Sequence, residues 1–167
     1  MKSWALLVVV IALVGCSTTS EPAPEPDAQV SAALSAQAVE RACSNACQTY
    51  EIVYVRDELV NIGGSAGEMP MKTRSAIADL FDGIQFARGQ ALDDLFGDDA
   101  LFAGGEGILI SVGPVEELAE GVVGIDVGLA TARYGYHGET YLFQWDGSNW
   151  SPATPQDTGV TVTSSVS

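Results

Sequence analysis

Alternation of apolar and polar positions is clearest in the second half of the chain. Val123, Ile125, Val127 and Leu129 alternate with Gly124, Asp126, Gly128 and Ala130. That period of two places every large side chain on one face of a strand. Tyr141, Phe143 and Trp145 repeat the pattern around Leu142 and Gln144. With a turn over Tyr134–Gly138, the two runs predict a hairpin whose bulky face covers a common core. Asp146-Gly147 turns the chain again and Trp150 starts a short returning strand. Gly107–Val112 (GILISV) reads as a strand broken by Gly113-Pro114, with one helical turn predicted over Val115–Leu118. Tyr50–Arg56 (YEIVYVR) is dense in β-branched and aromatic residues and reads as the first strand.

Helical spacing dominates earlier in the chain. Ser31–Cys47 is predicted as a helix capped by Ser31, with Leu34, Ala38, Ala42 and Ala46 near one face. Pro70 suits a first helical turn, and Met71, Arg74, Ile77, Ala78, Leu80 and Phe81 follow at helical spacing until Asp82-Gly83. Ile84–Ala87 is a short strand, and strand, helix, strand implies a right-handed crossover and a parallel pair. Gln90–Phe96 predicts a brief helix ended by Gly97. Together these elements predict an α+β fold: a mixed sheet of five to six strands with an antiparallel C-terminal meander, and two to three helices packed on one face.

The N-terminus adds an address. Lys2 precedes an unbroken apolar run from Trp4 to Val14, shorter than the roughly 20 residues needed to span a bilayer and of signal-core length. Leu13-Val14-Gly15-Cys16 follows directly. This resembles the lipobox of bacterial lipoproteins. The resemblance implies cleavage before Cys16, lipidation of its thiol, and a place in the cell envelope. The protein would then be anchored on the outer face of the cytoplasmic membrane or in an outer membrane, and Ser17 after the cysteine favours the latter. Residues 1–15 are then signal peptide. Residues 16–30 are the lipidated cysteine and an acidic Pro/Ser linker (STTSEPAPEPDAQ over residues 17–29) expected to be disordered. Residues 31–152 form one domain, and 153–167 a polar edge strand or tail.

Charge narrows the partners. There are 22 Asp and Glu against seven Lys and Arg, for a net charge of −15. Phosphate backbones are bound by displacing counterions with cations, so nucleic acid is an unsuitable partner. Anionic lipid is equally disfavoured beyond the anchor.

Candidate chemistry is sparse. Apart from Cys16, Cys43 and Cys47 are the only cysteines, and an even pair outside the cytoplasm predicts a disulfide. Residues four apart on a regular helix have Cβ atoms about 5–6 Å apart, whereas a disulfide needs roughly 3.5–4.5 Å. The helix must therefore tighten or stop at Ser44-Asn45. Gly63-Gly64-Ser65-Ala66-Gly67 matches the letters of a nucleophile elbow. The chain is too short for that fold, and the glycines lie beyond the strand end in a predicted loop. His137 is the single histidine and falls in a predicted turn. Asp93, Asp94, Asp98 and Asp99 lack the alternating spacing of a calcium loop. No catalytic set, metal site or cofactor site is therefore predicted. Tyr134, Tyr136 and His137 form the candidate contact surface for a protein, peptide or glycan partner. The expected role is a non-catalytic binding or accessory module. The alternatives are an envelope hydrolase using paired carboxylates and a structural envelope component.

Overall fold

The computed structural model describes residues 22–44, 46–61, 64–96, 107–132, 135–162 and 164–166. Cys16, Gly63, Gly97, Asp98, Asp99 and Tyr134 lie outside them. The fold is α+β, with a mixed sheet six positions wide. β1 (Ile52–Asn61) is flanked on its outer side by β2 (Gly64–Glu68) and β3 (Gln85–Ala87), and inwardly by β4 (Gly107–Val112). β3 and β4 run parallel to β1, as the strand–helix–strand order requires. β6 (Val122–Ala132) then pairs antiparallel with β4, and β7 (Gly135–Trp145) with β6. β5 (Glu116–Ala119) extends the β4 position along β6. β8 (Trp150–Ala153) and β9 (Ser165–Val166) share the far edge of β7.

The alternation in β6 and β7 places the core as expected. Val123, Ile125, Val127 and Phe143 are buried with Val55, Ile108, Ile110 and Val112 against Leu34, Ala38 and Val39 of α1 (Ala28–Cys43) and Ile77 of α2 (Met71–Ala78). Each of the Val, Leu, Ile and Phe side chains among them contributes about 1.5–3 kcal/mol on leaving water. On the opposite face, Leu92 of α3 (Gln90–Asp93) covers Leu109 and Ala87. Val160 and Val162 pack on Val122, Leu142 and Ala153. The C-terminal stretch thus covers a sheet face, held by α4 (Pro155–Thr158). That helix is started by a Thr154–Asp157 capping box and stopped by Gly159 at φ +68°.

Four local expectations are corrected. α1 begins at Ala28, because Asp27 rather than Ser31 caps it, accepting bonds from the Gln29 and Val30 amides at 2.7 and 2.9 Å. Residues 64–68 are a strand, not a loop, because β1 runs on to Asn61 and the glycine-rich stretch returns antiparallel along its edge. Glu116–Ala119 is a strand, not a helical turn. Gly121 at φ +69° lets the chain fold straight back, and Gly124 leaves room for Leu118. Residues 135–138 belong to β7, not to a turn, so the hairpin is longer than its apolar pattern.

Cys43 and Cys47 form the predicted disulfide, with Cα atoms 4.8 Å apart. The helix stops at Cys43 and a single 3-10 turn occupies Cys47–Thr49, which brings the thiols within reach. A disulfide is consistent with a protein outside the reducing cytoplasm. Among the described residues, no helix is long and apolar enough to cross a membrane.

Candidate functional site

A cavity of about 440 Å³ opens where the segment after α1, Ala46 with Thr49 and Tyr50, meets β4, β6 and β7. Its floor is Ile108 and Leu129, and its walls include Ala46, Thr49, Tyr50, Thr131 and His137. Local chemistry explains the shape. The disulfide buries both cysteines and draws the 3-10 turn onto the sheet. There Thr49 Oγ1 donates to the Ala46 carbonyl at 3.0 Å and the Tyr50 amide to the Cys47 carbonyl at 3.3 Å. The wall is therefore braced by a covalent bond and two hydrogen bonds. Leu129 sits opposite His137 in the β6–β7 register, so both belong to the sheet face that carries α1. An apolar floor with a few hydroxyl, phenol and imidazole groups at the rim is the usual composition of a small-ligand site.

Tyr136 and His137 both border this cavity, but they occupy successive positions of β7 and their side chains leave opposite faces. His137 is exposed. The Tyr136 ring lies across the cross-strand pair Gly128 and Gly138. Burial pushes its phenol above the ordinary tyrosine pKa. The Asp126 carboxylate adds to the rise, and the Arg56 guanidinium opposes it. The two side chains therefore reach the cavity from opposite faces of the sheet, and the third candidate, Tyr134, lies outside the described residues. Tyr50, Ile108 and Leu129 carried no sequence signal of a site, since apolar residues near strand ends read as core.

On the Tyr136 face, Glu116, Leu118, Gly124, Asp126 and Thr140 border a smaller cavity of about 210 Å³. Thr140 Oγ1 donates to Asp126 Oδ1 at 2.6 Å. Ser65 of the elbow-like pentad pairs with Val60 along β2, in a hairpin strand rather than at a strand-to-helix turn. Asp93 and Asp94 are exposed, and Asp94 Oδ1 accepts from Gln90 Nε2 at 2.9 Å. Among the described residues, no group of three or more His, Cys, Asp or Glu side chains is placed to hold a metal ion. Comparison with protein-family models, curated proteins and solved structures finds no match to this chain.

Proposed function

We propose that the chain is an extracytoplasmic, lipid-anchored binding or accessory module, tethered at Cys16, that takes the apolar group of a ligand between Tyr50, Leu129 and His137. One observation carries this reading: the 440 Å³ cavity is floored by aliphatic side chains, rimmed by Thr49, Thr131 and His137, and walled by a disulfide-braced turn. Apolar area supplies the affinity of such a site, and the few polar groups set orientation. A photo-crosslinking residue at Thr131 of the membrane-bound protein tests it against the same residue at Glu117, which lies at the far end of β6. Adducts of one mass at position 131 and none at 117 support the reading. Equal labelling at both positions, or none at 131, contradicts it.

A second reading, a hydrolase working with paired carboxylates, is favoured by Glu116 and Asp126 bordering one cavity. Glu116 pairs with Gly124, two positions from Asp126 on the same face of β6. Such diagonal neighbours have backbones about 7–8 Å apart, close enough for two carboxylates to flank one glycosidic bond. Cleavage of a cell-wall glycan that disappears in both Glu116→Gln and Asp126→Asn would establish it. An unchanged rate in either variant removes it.

A further inference from the structure

The stalk segment Pro22–Asp27 (PAPEPD) has no regular secondary structure; Ala23 and Pro26 are half-buried against the domain, while Pro22, Pro24, Glu25 and Asp27 are exposed. Ala23, Pro24, Glu25 and Pro26 line a cleft with Gly121, Val123 and Trp150 on one side. On the other side, Pro24, Glu25 and Pro26 line one with Leu34, Trp145 and Trp150. A Cβ built on Gly121 would stand 3.6 Å from that of Ala23. The Ser31 hydroxyl donates to the Pro26 carbonyl at 3.2 Å, and Asp27 caps α1. Trp145 and Trp150 face each other across β7 and β8 with ring centroids 5.7 Å apart. Aromatic-lined grooves are what proline-rich segments dock on, because proline has little backbone freedom left to lose.

We infer that the chain's own proline-rich stalk is held against the tryptophan end of the domain as one wall of the Trp145–Trp150 cleft, and that this clamp sets which end of the domain faces the anchor. The consequence for presentation follows from strand length. The stalk is seated at Gly121 and Trp145, the end of β6 and β7 away from Thr131 and Gly135. Nine residues of strand, at about 3.3 Å each, separate Val122 from Thr131, close to 30 Å. From Cys16 to Pro22 the chain reaches at most ~22 Å. A clamped domain therefore turns its tryptophan end to the membrane and holds the apolar cavity on the far side. A free stalk would let the whole domain swing, cavity included, over the bilayer. This orientation rests on the proposed lipid anchor; the clamp itself does not.

Two measurements on the full processed chain test this. The first is ¹⁵N relaxation of the Ala23 and Glu25 amides. Clamped, both have order parameters near the ~0.85 of rigid backbone, and in Pro24→Gly/Pro26→Gly they fall below ~0.6 while strand amides stay unchanged. Values below ~0.6 in the native chain, or no change in the variant, overturn the clamp whether or not a lipid is attached. The second uses vesicles containing nitroxide-labelled lipid and a fluorophore at Ser148→Cys or Thr131→Cys. The native chain is expected to show at least twofold stronger quenching at 148 than at 131, and the double glycine variant to lose the difference. Equal quenching at both sites in native, vesicle-bound protein overturns the orientation. Rigid stalk amides in a chain that does not bind vesicles and lacks the lipid mass retain the clamp and reject the anchor and the orientation with it.

Discussion

Gly128→Ala is a small substitution with a sign that depends on one neighbouring ring. A Cβ at this position would stand 2.1 Å from Cε2 and Oη of Tyr136 and 2.3 Å from Cζ. Ordinary carbon contacts lie at about 3.5–4.0 Å, so the ring must withdraw by roughly 1.5 Å. The colliding atoms are the far end of a side chain, which can swing away, so the strand itself survives. Re-exposing about 50–100 Å² of ring costs ~1–2.5 kcal/mol. Alanine in a strand offsets about 0.5–1 kcal/mol of this by its smaller backbone entropy loss. The net expectation is a destabilisation of up to about 2 kcal/mol. In a Tyr136→Ala background the collision is gone and only the backbone term remains, so Gly128→Ala should stabilise by about 0.5–1 kcal/mol. Urea denaturation of the four proteins of this cycle measures both steps, read from the midpoints at constant slope. In the native background the substitution should also bring the Tyr136 phenol down toward its ordinary pKa, since burial is what raises it. The same sign in both backgrounds, or an unmoved Tyr136 titration, would refute the placement of the ring over the glycine pair.

Three further outcomes follow from local chemistry. Tyr141 has its phenol pushed up to about 12 by burial, with Glu139 adding to the rise and Arg41, 5.1 Å from the ring centroid, opposing it. A raised tyrosine pKa stabilises the fold below the unfolded value near 10, and that contribution is lost as pH rises from there to about 12. Tyr141→Phe should therefore flatten the decline of stability across that window, measured by denaturation at each pH. Replacing Cys43 and Cys47 with Ser should cost about 2 kcal/mol, the chain-entropy value for so short a loop. It should also weaken whatever binds beside Thr49 and Tyr50, a coupling that ligand titration of the double variant reads. Asp27→Ala should lower the melting temperature by freeing the amides of Gln29 and Val30. Those two bonds hold the Asp27 carboxyl below its usual range, so the stability they give is present at neutral pH and lost as pH falls through the lowered value. Asp27→Asn should keep part of the cap and lose that acid dependence.

Period-two patterning made the β6–β7 hairpin and its buried face legible, because Val123–Leu129 and Tyr141–Trp145 each keep large apolar side chains on one side without a break. It could not mark residues 135–138 or 64–68 as strand. Those segments pair through their backbones at places where glycine and polar residues leave no alternation to read. Helix α4 was signalled in principle by Thr154-Pro155 with Asp157 three residues past the cap and Gly159 at the end, but without apolar periodicity the stretch reads as a tail. The disulfide could be read from cysteine count and the geometric need for the helix to stop. Of the contact surface, Tyr136 and His137 were singled out for their chemistry. Their separation onto opposite faces depended on the strand reaching Gly135, which composition does not show. The cavity floor of Ile108 and Leu129 is invisible for another reason. A core position and a pocket floor use the same side chains, and only the missing neighbour tells them apart.

The most direct test is a titration of the processed protein with a neutral apolar fluorophore such as N-phenyl-1-naphthylamine, in parallel with Thr131→Trp. Position 131 is exposed at the cavity rim, so a tryptophan there fills the opening without entering the core. Binding by a ligand pocket gives one saturable site in the native chain, at least tenfold weaker in Thr131→Trp at unchanged melting temperature. No saturable binding, or equal affinity in the two proteins, would mean that the space between Tyr50, Leu129 and His137 is not where this protein meets its ligand.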